Sequence, residues 1–87
     1  RLEAEGRNRL APLRAAIQAC EQQLAIIARE RAALETSLAS AELYQHGSRA
    51  QLKATLARQA ELAVLLKDTE TAWLSASAEL EVAENGV

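Results

Sequence analysis

The chain has 87 residues, enough for one small domain, and a chain of this size buries only about 60% of the surface that its unfolded form exposes. Apolar residues make up 49% of it, but there is no Phe or Met and only one Trp and one Tyr, so Ala, Leu, Ile and Val supply the apolar mass. That composition is typical of long helices and coiled coils. The net charge of −2 gives no overall reason to expect nucleic acid or an anionic membrane as a partner.

One cysteine cannot form an internal disulfide, and no uninterrupted apolar span approaches 20 residues. We therefore expect a cytoplasmic protein with no membrane partner.

The first helix follows a short start. Gly6 and Pro12 disfavour helix, so we expect residues 1–9 to be a linker or a frayed start of helix one and the helix itself to cover about 12–40, with Pro12 in its first turn. Steps of three and four residues from Leu10 predict a heptad seam in which seven of ten positions are Leu or Ile. The seam positions are Leu10, Leu13, Ile17, Cys20, Leu24, Ile27, Arg31, Leu34, Leu38 and Ala41.

A turn is predicted at about 41–48, where His46, Gly47 and Ser48 interrupt the helical pattern. Gly47 is expected to supply a left-handed backbone conformation. Ser48 and Gln51 have the spacing of a capping box, which predicts the start of helix two.

Helix two is predicted at about 49–83, followed by a tail at 84–87. Its stripe has the same period as the first one but is weaker. The positions are Leu52, Leu56, Gln59, Leu62 or Ala63, Leu66, Glu70, Trp73, Ser77 and Leu80.

The two stripes match when the chain folds back, because pairs of seam positions share a constant sum of residue numbers, 90, as an antiparallel pair requires. Arg31 then faces Gln59, and Ile27 faces Ala63. We favour a register-fixing role for Arg31 over an outward recognition role. The predicted fold is all-α, a two-helix antiparallel coiled-coil hairpin over residues 10–83.

No nucleotide-binding, metalloprotease or triad motif is present, so we expect no enzyme activity and no catalytic, cofactor-binding or metal-binding residues in this segment. His46 is interpreted as a solvated turn residue rather than a metal ligand or base. Cys20, opposite Glu70, is interpreted as a half-buried seam residue rather than a reactive thiol.

Two aromatic positions have competing interpretations. Trp73, opposite Ile17, is expected in the core rather than as an exposed platform for stacking on bases. Leu43 and Tyr44 are expected to cap the end of the core, and the alternative is an aromatic presented at a contact tip.

Three basic residues near the tip, Arg49, Lys53 and Arg58, are the candidate nucleic-acid contacts, since clustered cations can bind phosphates. Most such clusters are simply a solvated face.

Several segments together resemble the C-terminal coiled-coil region of ABC-F proteins, with the YheS-like branch the nearest, over roughly residues 9–83. Leu-Tyr before the turn and Glu-x-x-Trp-Leu about thirty residues later are the most specific of them. The segments are Arg9–Arg14, Leu43–Tyr44, Leu52, Arg58–Leu62, Glu70–Leu74 and Glu79–Glu81.

The resemblance implies a cytoplasmic parent with two ATP-binding cassettes, which would use ATP and Mg, and a terminal hairpin that assists contact with the ribosome, RNA or DNA. This segment itself lacks nucleotide-binding motifs, and its net acidity departs from the basic character of related tails that bind nucleic acid. The alternative function is a structural hairpin that forms a weak homodimer through Val64 and Leu65 beside the seam.

Overall fold

The structure is a computed structural model that describes the backbone of residues 2–85 and the side chains of residues 9–85. It contains three helices, α1 (Leu2–Ala39), α2 (Ala41–Gln45) and α3 (Arg49–Asn85), and this part of the chain contains no strand. The prediction of an all-α fold is therefore confirmed.

Helix α1 begins ten residues before the predicted start, so Pro12 lies inside it and residues 2–9 are helical. Pro12 lacks the N–H that would donate to the carbonyl of Asn8, and its ring crowds that carbonyl. The segment before it contains helix-favouring Leu, Glu, Ala and Arg residues, which continue the helix past this defect. The predicted placement of Pro12 in the first turn is wrong.

The predicted turn contains the short helix α2. Its N-cap is Ser40, whose Oγ accepts a hydrogen bond from the backbone N–H of Glu42 at 3.2 Å. At the other end, the N–H of His46 donates to the carbonyl of Glu42 at 2.8 Å. The N–H of Gly47 donates to the carbonyls of Glu42 and Leu43 at 3.0 and 3.1 Å, which closes the turn.

Gly47 does not have the left-handed conformation that we expected, because no residue in the described range has a positive φ. Its importance is steric: a Cβ at this position would overlap the carbonyl oxygen of Leu43. Glycine is needed here for close approach of two backbone segments.

The capping box at the start of α3 is confirmed. Gln51 N–H donates to Ser48 Oγ at 3.0 Å, and Ser48 N–H donates to Gln51 Oε1 at 2.8 Å. Helix α3 extends to Asn85, so the first two residues of the predicted tail are helical. Residues 86–87 lie outside the described range.

Helices α1 and α3 lie side by side and run in opposite directions. Arg14, early in α1, pairs with Glu84 at the end of α3 (3.1 Å), and Glu30 pairs with Arg58 near its start (2.6 Å). The molecule measures 66 × 16 × 15 Å, which fits a 38-residue helix of about 57 Å plus the turn.

The core between the helices is thin. Among the described side chains only Ile27 and Leu62 are buried, each 1% exposed. The remaining apolar seam residues are half-buried or, at Ala41, Leu56 and Ala63, exposed. The half-buried apolar seam residues are Leu10, Leu13, Ile17, Cys20, Leu24, Leu34, Leu38, Leu52, Leu66, Trp73 and Leu80.

The middle of the predicted seam needs correction. Arg31 and Gln59 are both exposed. The sequence left one seam position of helix two open between Leu62 and Ala63; Leu62 is buried there and Ala63 is exposed. A step of three or of four residues stays on the same side of a helix, so the pattern alone does not choose between neighbouring positions. Here the shorter step after Ile27 brings Glu30, not Arg31, against α3.

Candidate functional site

Arg49 and Lys53 lie on the first two turns of α3, four residues apart and therefore on one face of the helix. Both are exposed, and neither forms an ion pair with any described side chain. With Leu52 and Leu56 they line an open depression of ≈ 450 Å³. Their charges are accessible to an anionic partner near the turn end of the molecule.

Arg58, the third candidate contact, lies apart from the other two. Nine residues after Arg49 correspond to two and a half helical turns, so Arg58 projects from the opposite side of α3, toward α1. Its Nε and Nη2 donate to the two carboxylate oxygens of Glu30 at 2.6 and 2.9 Å, and its Nη1 donates to Glu61 at 3.1 Å. The structure groups Arg49 with Lys53 and assigns Arg58 to a contact between helices.

The hydrogen bonds among Arg58, Glu30 and Glu61 shift the pKa values of two of these groups. The hydrogen bond from Arg58 holds the pKa of Glu30 below its ordinary 4.5. Hydrogen bonds to Glu30 and then Glu61 raise the pKa of Arg58 above its usual value. A bidentate arginine–carboxylate contact is directional, so it can align the two helices even at a solvated position.

Glu30 is the residue that the sequence reasoning missed. The signal was present, since Glu30 follows buried Ile27 by three residues and could face α3 as readily as Arg31. The predicted polar layer of Arg31 and Gln59 is therefore wrong, and the cross-helix polar layer is Glu30 with Arg58.

Cys20 is a half-buried free thiol, as expected, but Glu70 is exposed. The thiol lines an apolar groove of ≈ 310 Å³ between α1 and α3. The other lining residues are Ala19, Gln23, Asp68, Thr69 and Ala72. His46 is exposed at the C-cap of α2 and interacts there through its backbone N–H.

Trp73 is half-buried on the side of α3 that faces α1, and its Nε1 is enclosed without a hydrogen-bond partner. That position fits the interpretation as a core residue rather than a stacking platform.

The two residues of the Leu43–Tyr44 pair differ: the position of Leu43 fits a cap of the core, and that of Tyr44 fits an aromatic presented at a contact tip. Leu43 is half-buried beside Gly47, whereas Tyr44 is 59% exposed at the turn.

The described residues lack two features, a cluster of metal-binding side chains and a membrane-spanning helix. They contain no cluster of three or more His, Cys, Asp or Glu side chains that could hold a metal ion. No helix among them is both long enough and apolar enough to cross a bilayer.

Comparison with protein-family models, with curated proteins and with solved structures finds no match to this chain.

Proposed function

We propose that the chain is a non-catalytic C-terminal coiled-coil interaction module of a cytoplasmic ABC-F ATP-binding protein, and that it assists contact with the ribosome or with nucleic acid. The ABC-F part of this proposal is supported by the sequence resemblance over residues 9–83. Any ATP and Mg²⁺ would bind to the cassettes of the parent, because this segment has no phosphate-binding loop.

The finer fold in this proposal is an antiparallel coiled-coil hairpin. Its support is the sustained three-four spacing of Leu and Ile on α1, with α3 running alongside in the opposite direction. The Glu30–Arg58 pair is a polar contact beside the seam, of the kind that sets the register of two helices.

The observation that carries the contact proposal is the exposure of Arg49 and Lys53 at the turn end of a molecule 66 Å long. Exposed cations near the end of an elongated body can reach a phosphate backbone without steric hindrance from the rest of the body. Tyr44, exposed at the same end, offers an aromatic surface for stacking on a base.

The test is a salt titration of binding between the 87-residue chain and purified ribosomes, with ribosomal RNA in parallel. We expect Arg49→Ala with Lys53→Ala to weaken binding and to reduce the slope of log K against log[salt] by about 1.4 to 1.8, the effect of two lost phosphate contacts. The matched control is Arg29→Ala with Arg31→Ala, which removes two exposed arginines from the middle of α1.

Equal weakening by both double variants would show a diffuse charge effect and would contradict a contact at the turn end. Arg58→Ala distinguishes a role in stability from a role in binding, because this arginine is paired with Glu30 and Glu61. We expect that substitution to lower thermal stability while the salt slope stays close to that of the unmodified chain.

A further inference from the structure

A second row, made mostly of small or apolar residues, follows the outer side of α3, away from α1. We call it the outer row. Its members recur at steps of three and four, and all of them are exposed. The outer row consists of Ala57, Ala60, Val64, Lys67, Thr71, Leu74, Ala78 and Val82.

The outer row holds the three most exposed large aliphatic side chains of the described chain. Val82 is 70% exposed, and Val64 and Leu74 are each 61% exposed. Scattered apolar residues on a surface need no explanation, but three at heptad-compatible spacing on one helix face form a seam that lacks a partner helix.

The molecule also exposes more surface than its mass requires. Its accessible area is 6600 Å². A compact protein of 9.4 kDa would expose about 5,000 Å², so the excess is roughly twice the ~800 Å² that one partner contributes to a standard interface. The area that a partner would bury on one face of α3 is therefore smaller than this excess of exposed surface.

Charge identifies the occupant. The intramolecular ion pairs occupy Arg58, Glu61 and Glu84 among the charged residues of α3. The other charged residues of α3 are basic in the first half and acidic in the second, and none is in an ion pair with a described side chain. They are Arg49, Lys53 and Lys67, then Asp68, Glu70, Glu79 and Glu81.

A helix with this distribution is complementary to itself in the reversed direction, whereas parallel pairing would bring the acidic halves together. A two-fold axis supplies that reversal, since the same patch is then used by both copies. We propose that the outer row binds the outer row of a second copy of this chain, with the two α3 helices antiparallel.

The register follows from the heptad positions. A pairing in which the residue numbers of facing positions sum to 138 places Val64 opposite Leu74 of the second copy and Ala60 opposite Ala78. Lys67 then lies level with Thr71 of the second copy, within one helical turn of its Asp68 and Glu70. Each of these contacts occurs twice because of the two-fold symmetry.

The surface overlaps the homodimer alternative from the sequence at Val64 but excludes Leu65, which is rotated about 100° away along the helix. Lys53 and Arg49 lie about one and two turns before Ala57 on the same face of α3, beyond the N-terminal end of the outer row. Substitutions at Val64 and Leu74 therefore test this surface without changing the proposed contact residues for ribosomes or nucleic acid.

The first experiment measures the mass of the 87-residue chain by sedimentation equilibrium over a wide concentration range. We expect a monomer–dimer equilibrium that reaches twice 9.4 kDa. Val64→Glu with Leu74→Glu should weaken dimerisation at least tenfold and leave the helical circular dichroism unchanged, since both side chains point to solvent in the monomer. Ile26→Glu, at a half-exposed position on α1, is the control and should not affect dimerisation.

Cysteine crosslinking tests the direction. In a Cys20→Ala background, Val64→Cys with Leu74→Cys should give a disulfide-linked dimer, because ten helical residues separate the two thiols of one chain by about 15 Å, too far for an internal bond. Val64→Cys alone should form no disulfide-linked dimer under the same oxidation.

Three results would overturn the proposal: a monomer at all concentrations, a dimer insensitive to the two Glu substitutions, or crosslinking by Val64→Cys alone, which would require parallel helices or a different antiparallel register.

Discussion

At the scale of single residues, Gly47 shows how one position can fix the turn. Its N–H donates to two carbonyls of α2, and the space where a Cβ would lie is occupied by the carbonyl oxygen of Leu43. Because its φ is not positive, alanine would fit the local backbone conformation but not the space around it.

We expect Gly47→Ala to lower the free energy of unfolding by about 1 to 3 kcal/mol, the usual cost of forcing an extra carbon into a filled site. The measurement is chemical denaturation followed by circular dichroism. If steric overlap were absent, the same substitution would stabilise the chain by about 0.4 to 1 kcal/mol through the unfolded state. The sign of the change therefore decides the question.

The polar contact between the long helices shows where sequence reasoning reached its limit. A polar layer near the middle was predicted, but with Arg31 and Gln59 instead of Glu30 and Arg58. Each true partner precedes the predicted one by a single residue. One helix read by itself leaves a three- or four-residue step open, and only the contact with the second helix selects between them.

At the scale of the elements, the starts of the two long helices differ in how well they could be predicted. Ser48 and Gln51 form the predicted capping box because all the groups involved lie within four residues. The start of α1 was not predicted, since Gly6 and Pro12 disfavour helix locally while the surrounding residues favour it. The start of a helix depends on the sum of many small helix propensities, so the two strongest helix-breaking residues do not predict it by themselves.

Replacement of Pro12 tests whether α1 continues through it. Pro12→Ala restores the N–H that can donate to the carbonyl of Asn8 and removes the ring clash, so we expect higher helix content at 222 nm and up to about 3 kcal/mol more stability. Ala11→Gly is a useful companion and should destabilise by about 1 kcal/mol if position 11 is helical.

No gain from Pro12→Ala, together with no loss from Ala11→Gly, would mean that the helix begins at about Pro12 in solution, as the sequence had suggested.

At the scale of the whole molecule, the stability depends on very few buried groups. Ile27 and Leu62 alone are fully enclosed among the described side chains, and the ion pairs are exposed. The core of so small a scaffold rarely supplies more than ~3 to 5 kcal/mol of folding free energy. The loss of a single core side chain should therefore be comparable to the entire stability.

Two adjacent isoleucines provide a matched comparison. Ile27→Ala removes a side chain that is 1% exposed and should destabilise by about 2 to 5 kcal/mol. Ile26→Ala truncates the same residue type at 49% exposure, one position earlier, and should cost about 0.5 kcal/mol. Thermal melts of the two variants, followed at 222 nm, make the comparison, and similar melting temperatures would refute the assigned orientation of α1.

Trp73 gives this molecule a built-in optical probe. It is the only tryptophan, it is half-buried between α1 and α3, and its indole N–H is enclosed without a hydrogen-bond partner. Because Trp73 lies toward the end of the pair away from the turn, its emission reports the separation of the helix termini. A red shift that precedes the loss of helical signal would reveal unzipping from the open end, with the turn still closed.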